Sequence, residues 1–266
     1  MSPLKDMLEN KSRNGKKVLS IFLTAGYPDP AATLPLLEAI VAGGADLIAL
    51  GVPFSDPVAD GPTIQSASQQ ALAAGTTLPL TLDLLRQFTA RHSTPVLLMG
   101  YANPFYQFGW ERLMQEASQA GAAGFIIPDI PPEESGELQA AARHHQLDLV
   151  FLVSPNTPEA RVAQVVENTS AFIYAVSLTG TTGAREGLPT QTGDFLQRLR
   201  RQTDHPILVG FGVSNPETAR MMCQWADGVI IGSAVIQQIA SAPDLESACR
   251  AVTAFVKSIR LGIAGE

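Results

Sequence analysis

The sequence predicts an α/β fold, a single (β/α)8 TIM barrel with an extra N-terminal helix, as one domain over residues 1–266. Three observations predict it. Eight short apolar, β-branched runs recur along the chain, too continuous in hydrophobicity for strands with one wet face. Segments with helical spacing of apolar residues separate them, the mark of a parallel sheet covered on both sides. No Gly/Ser- or Pro-rich linker divides the chain, and a barrel of ~250 residues routinely forms one domain. A doubly wound open sheet would need fewer strands and a GxGxxG after the first strand, which is missing.

The elements follow in order. PLKDMLENKS (3–12) is a helix ahead of the barrel. VLSIFLTAG is the first strand and AATLPLLEAIVAGG its helix; ADLIALGV is the second strand. Two helical segments follow it, TIQSASQQALAAG and LPLTLDLLRQFTAR, more than one unit needs. PVLLMGYA, AAGFIIPDI, LDLVFLVS, AFIYAVSL, PILVGFGV and ADGVIIGSAV continue the strands. GWERLMQEASQAG, EESGELQAAARHHQ, PEARVAQVVENT, GDFLQRLRRQ and NPETARMMCQW are the intervening helices, and DLESACRAVTAFVKSI closes the chain.

In such barrels chemistry sits at the C-terminal ends of the strands and the opposite end serves stability. That rule sorts the polar residues. Asp46, Asp148 and Asp227 precede or open strands and are expected on the bottom face as caps and turns. Asp56, Asp60, Asp129, Thr182, Arg185, Glu186 and Ser233 follow strands and face the top.

Composition and placement then exclude chemistries. A net charge of -7 without a run of Lys or Arg argues against nucleic acid. No apolar run approaches ~20 residues and the charged N-terminus has no signal-peptide core, so neither a membrane span nor secretion is expected. With Cys223 and Cys249 outside any CxxC spacing, a reduced, cytoplasmic chain without disulfides is expected. The five lysines (5, 11, 16, 17 and 257) lie near the chain ends, and none ends a strand after the first, which leaves no amine for a Schiff base. His92, His144, His145 and His205 end helices or precede strands, which argues against a catalytic metal, so no metal and no cofactor is expected. What remains at the top is carboxylate chemistry, with Tyr101 and Tyr174 as weaker acid–base candidates. The last two strands end in Gly-rich turns, GFGVSNPE and GVIIGSAV, each leading into a helix. Barrels often bind phosphate there, through backbone N–H groups and a helix N-terminus. TGTTGAREG (179–187) reads as a lid.

These motifs together resemble the α chain of tryptophan synthase. LTAGYPDP, GVPFSDPVADGPTIQ, GYANPF, PDIPPEES, TGTTGAR, GFGVS and IGSAV carry the resemblance, in order and over nearly the whole chain. It implies a barrel lyase that cleaves indole-3-glycerol phosphate to indole and glyceraldehyde 3-phosphate. It also implies a pyridoxal phosphate-dependent β chain as partner, in an α2β2 heterotetramer. By the same resemblance Asp60 accepts a hydrogen bond from the indole N–H. Gly183, Gly212, Gly232 and Ser233 match phosphate-binding positions. Phe22, Tyr101, Thr182 and Phe211 match the walls around indole and glycerol, and Tyr174 a tyrosine near the site. Pro53, Asp56, Asn103 and Pro131 fall on the side that would face the β chain.

One departure bears on the chemistry; two others, Pro128 and Leu178, decide nothing. The family's catalytic glutamate stands two residues before the glycine of GVPFSDP, and here that position is Ala49. Alanine neither takes the proton of the glycerol hydroxyl nor protonates indole C3. Asp46 lies three residues, ~10 Å, below it on an extended strand, too far to substitute. Three readings follow: an α chain of tryptophan synthase with its glutamate replaced, a non-catalytic relative that binds a phosphate ligand and activates a β chain, or an enzyme of another barrel class. The last needs a second top-face acid or base across from Asp60, for which Asp129 is the candidate.

Overall fold

A computed structural model of the chain describes residues 2–176, 188–210 and 212–264. Nine parallel strand segments lie in the order β5-β4-β3-β2-β1-β9-β8-β7-β6. They are β1 Val18–Thr24, β2 Leu47–Gly51, β3 Val96–Met99, β4 Gly124–Ile126, β5 Asp148–Val150, β6 Leu152–Val153, β7 Ile173–Val176, β8 Ile207–Gly210 and β9 Gly228–Ile231. β5 and β6 are one stave interrupted at Phe151, pairing with β4 on one side and β7 on the other, so the sheet closes with eight staves. The expected eight strands and the barrel are therefore present.

Alternation divides the strand residues between two layers. One set faces inward: Val18, Phe22, Leu47, Ala49, Leu97, Met99, Ile126, Val150, Tyr174, Leu208 and Ile230. The other set, with Leu19, Ile21, Leu23, Ile48, Leu50 and Val209 among it, packs outward under the helices. The β1–β2 register sets Phe22 beside Ala49, and the β2–β3 register sets Ala49 beside Leu97.

The extra helix, α1 (Pro3–Arg13), is a bottom plug. Ser2 caps it, Pro3 opens it, and Leu4 and Leu8 insert into the inner cluster beside Val18 and Leu47. The three bottom aspartates lie where expected, each tied to cations or backbone. Asp46 meets Lys11 at 2.5 Å and Arg260, and accepts from Leu19 N at 2.9 Å. Asp148 meets Lys5 at 3.1 Å, and Asp227 meets Arg200.

The outer layer comprises α2 (Thr33–Ala42), α3 (Pro62–Ala73), α4 (Leu78–Thr89), α5 (Ala102–Phe108), α6 (Trp110–Gln119), α7 (Gly136–His144), α8 (Glu159–Asn168), α9 (Leu188–Arg200), α10 (Pro216–Met222), α11 (Ser233–Ala240) and α12 (Leu245–Ile263). As the doubled helical pattern suggested, α3 and α4 both follow β2. Helix α5 was not expected. ANPFYQF has a proline and no extended periodicity, yet it forms two turns because Phe105 is fully buried and meets Phe125 edge-on at 5.6 Å.

Candidate functional site

The top-face site is built from the ends of β1, β2, β3 and β7. After β2 the chain runs through PFSDPVADGP before Pro62 opens α3. This loop is fixed at its turn by Asp60 N donating to Pro57 O at 3.2 Å, and by Gln65 Nε2 donating to Asp60 O at 2.8 Å. Proline fixes φ at several points along it, so little chain entropy remains to be lost when the loop binds something.

Tyr101, just beyond β3, joins the loop to the neighbouring strand. Its hydroxyl accepts from Ala59 N at 3.1 Å and donates to the Asp60 carboxylate, and its ring lies 5.6 Å from that of Phe54. Burial pushes the Asp60 carboxyl up from 3.8 to about 6, and the Tyr101 hydrogen bond partly offsets the rise. Burial is also the main reason the Tyr101 hydroxyl is raised, with the Asp60 charge adding to it. Tyr174, inward from β7, is raised by burial and then by the Asp60 charge. Its ring fills the space a side chain at position 210 would need: a Cβ on Gly210 would lie 2.4 Å from the Tyr174 hydroxyl oxygen. The structure thus gathers Asp60, Tyr101 and Tyr174 around one carboxylate at the barrel mouth.

Beneath them Phe22 and Ala49 lie on the inner face, 7% and 0% exposed. A Cβ on Gly51 would meet the Phe22 ring at 2.5 Å, so glycine at 51 is what lets that ring stand under the loop. A cavity of 10 Å3, about one water's worth, is lined by Phe22, Thr24, Gly51, Asp60, Ser68, Met99 and Tyr101 among others. Sequence reading missed Thr24. Its Oγ1 is buried without a hydrogen-bond partner, and the signal was available as a polar residue at the inward end of an apolar strand.

Gly212 follows β8 and Gly232 follows β9, on adjacent staves. Gly212 has φ +77°, a conformation that favours glycine. Gly232 is the N-cap of α11, whose first turn has no side-chain cap, and Ser233 is its exposed first residue. Uncapped N–H groups of this kind suit an anion. Gly183, Thr182 and Phe211, and with them Arg185 and Glu186, lie outside the described residues.

Of the positions expected to face a partner, Asp56 and Asn103 are exposed, Pro131 is half-buried and Pro53 is buried in the loop. Two large apolar side chains stand out on the same rim, Val58 at 82% and Tyr106 at 63% exposure. Asp129 is not a free acid: its carboxylate accepts from Ala102 N at 2.9 and 3.2 Å and so caps α5, and its charge also reaches Tyr101.

The sequence profile of the tryptophan synthase alpha chain matches residues 8–262. The chain belongs to the tryptophan synthase alpha chain family. It is 43% identical over 263 residues to the tryptophan synthase alpha chain of Geobacter sulfurreducens, covering 99% of each chain. It is 47% identical over 247 residues to that of Roseiflexus sp. (strain RS-1), covering 92% of this chain and 94% of the relative. Among solved structures it is similar to tryptophan synthase subunit alpha from Legionella pneumophila str. Paris, with a TM-score of 0.92, 37% identity, and coverage of 99% and 98%. It is also similar to a chain of M. tuberculosis tryptophan synthase in its aminoacrylate-bound form, with a TM-score of 0.89, 31% identity, and coverage of 99% and 100%. Alpha-chain membership fits the barrel, the helical plug and the mouth. Among the described residues, no helix is long and apolar enough to cross a membrane.

Proposed function

We propose that this chain is a cytoplasmic, one-domain alpha chain that binds indole-3-glycerol phosphate but turns it over very slowly. The observation that carries the reading is Ala49, fully buried on the inner face beside Phe22 and below the loop that holds Asp60. Asp60 accepts from the indole N–H and stabilises positive charge developing on the ring. Tyr101 holds that carboxylate with a hydrogen bond, Tyr174 lies within reach of its charge, and Phe22 forms an apolar wall against the indole. Gly212, Gly232 and Ser233 take the phosphate through backbone N–H groups and the open end of α11. The reaction is a retro-aldol cleavage: the glycerol hydroxyl loses a proton, the carbon–carbon bond breaks, and indole C3 gains a proton. Nothing at position 49 moves those protons.

The partner is a tryptophan synthase beta chain in an α2β2 assembly, docked on the rim that carries Pro53, Asp56, Asn103 and Pro131. Exposed Val58 and Tyr106 support this surface. The same features favour a second reading, a non-catalytic relative that binds a phosphate ligand and activates its beta chain.

The test is the rate of indole-3-glycerol phosphate cleavage for the chain and for Ala49→Glu, with a beta chain present. A positioned acid–base group contributes about 10²–10⁴-fold, and more when it acts twice in one step. The variant should gain at least that much, while ligand affinity changes little. Equal rates in both forms would mean that another group shuttles the proton, and the placement of the site would be wrong.

A further inference from the structure

On the outer layer, Glu111 of α6 and His144 and His145 at the end of α7 converge. His144 Nδ1 lies 3.0 Å and His145 Nε2 2.8 Å from the same oxygen, Glu111 Oε1. One ligand atom from each of the three lies within 4.8 Å of the others, and the imidazole rings are 4.7 Å apart, tilted by 38°. His145 is the anchored member, its side chain 17% exposed, whereas His144 and Glu111 are 72% and 62% exposed. Neighbouring charges on the same two helices are engaged elsewhere. Arg112 pairs with Glu116 at 2.8 Å and stacks on the Phe108 ring, and Arg143 donates to Gln139.

We propose that this cluster is a binding site for a divalent transition-metal ion of the Zn2+ type, joining α6 to α7. Two imidazole nitrogens and one carboxylate oxygen are the donor set such ions prefer, whereas Mg2+ and Ca2+ require oxygen ligands. Around a tetrahedral ion with bonds of about 2.0–2.2 Å, neighbouring ligand atoms stand about 3.4 Å apart. The two N···O separations here are shorter, so the ion would enter by spreading the ligands about half an ångström against the carboxylate. It would displace any proton shared between imidazole and Glu111, leaving both rings neutral and the carboxylate ionised. A water completes the fourth position. The site is a clamp between helices, not a catalytic centre, because its ligands belong to the outer layer and not to the strand ends. It is independent of the lyase reading.

The experiment uses the full chain freed of metal with a chelator. ZnCl2 is titrated by calorimetry at pH 7.5, CoCl2 by visible absorption, and MgCl2 as a control. The expected result is one ion per chain for zinc and cobalt, a tetrahedral cobalt spectrum, and no response to magnesium. At a hundredfold excess over Kd, zinc should raise the melting temperature on the order of 5 °C. The His144→Ala/His145→Ala double variant should lose at least tenfold in affinity, and Glu111→Gln less. Glu111 and His144 are exposed and His145 is half-buried, and a circular dichroism melt establishes that each variant is folded. Absence of zinc uptake by the wild-type chain up to 100-fold molar excess sinks the proposal. So does zinc binding of equal affinity in the folded double variant, which would place the ion elsewhere, Cys249 being one alternative.

Discussion

Replacing Asp60 with asparagine should make the protein more stable at neutral pH and no more stable near pH 4. The carboxyl is raised from 3.8 to about 6 chiefly by burial. A carboxyl whose pKa is higher folded than unfolded binds more protons in the native state. Between about pH 4 and pH 6 the native state therefore holds a proton that the unfolded chain has released, and stability falls as pH rises through that window. At ~1.4 kcal/mol per pKa unit, the rise sets a ceiling of about 3 kcal/mol. Asp60 is half-buried, and solvent screening at a partly open mouth brings the expected figure to about 1–2 kcal/mol. Asparagine keeps the shape and still accepts from the Tyr101 hydroxyl, but carries no charge to desolvate. The assay is urea unfolding followed by circular dichroism at pH 4.5, 5.5, 6.5 and 7.5 for both proteins. Taking the difference between them cancels the other groups that titrate in the window. The variant's advantage should be about a third of its plateau at pH 4.5, grow through pH 6 and level off at about 1–2 kcal/mol, roughly 3–6 °C in Tm for a chain of this size. A difference that stays flat across the four pH values would refute the claim that the mouth keeps an aspartate destabilised at neutral pH.

Three further outcomes are expected. Tyr101→Phe removes the hydrogen bond that lowers Asp60 and the acceptor for Ala59 N; it should cost about 1–2 kcal/mol and move the pH window of the preceding experiment upward. Thr24→Val replaces an unpartnered buried hydroxyl with a methyl of similar shape, so stability should hold or rise by up to about 1 kcal/mol. Calorimetry should then show weaker glycerol-phosphate or indole binding; unchanged affinity for both would place Thr24 outside the ligand site. Asp46→Ala removes the carboxylate that Lys11 and Arg260 share at the bottom face, their side chains 22% and 21% exposed, and leaves Arg260 its bonds to the Gly44 and Lys17 carbonyls. It should cost about 3 kcal/mol or more in urea unfolding while leaving ligand affinity unchanged, and a loss of affinity would contradict the separation of stabilising and functional ends.

What was legible in the sequence was whatever is written locally or repeats. The eight staves, the helical plug and the bottom placement of Asp46, Asp148 and Asp227 follow from apolar period and from position relative to strand ends. What was not legible depended on contacts between distant segments. Helix α5 forms because Phe105 reaches Phe125, 20 residues on, and no local pattern announces that. Asp129 looked like a free top-face acid, but its partner is a backbone N–H 27 residues earlier. Tyr101 was expected at the top face and, by resemblance, in the pocket wall, but not as the partner of the Asp60 loop. Its place beside Asp60 depends on the fold of a loop 42 residues away. The interruption of the fifth stave at Phe151 has no marker in LDLVFLVS that we can identify.

The mouth also bears on why a chain could keep Asp60 while lacking a glutamate at 49. The two positions have different costs. Asp60 lies in a proline-braced loop tied by Tyr101 to the neighbouring strand, and none of the hydrogen bonds that hold it involves position 49. Position 49 is a single inward strand residue with Phe22 on one side and Leu97 on the other. A glutamate there would add four heavy atoms to a fully buried site, at about 1–3 kcal/mol of overpacking unless Phe22 or Met99 gives way. Its carboxyl, flanked by hydrocarbon, would be pushed up toward neutrality, which suits a group that must first take a proton and then donate it. Losing that group relieves packing and desolvation together and leaves every contact of Asp60 intact. On the proposed function, binding and proton transfer are separable in this barrel by one residue. A chain retained for ligand-dependent contact with a beta chain could lose the second without losing the first.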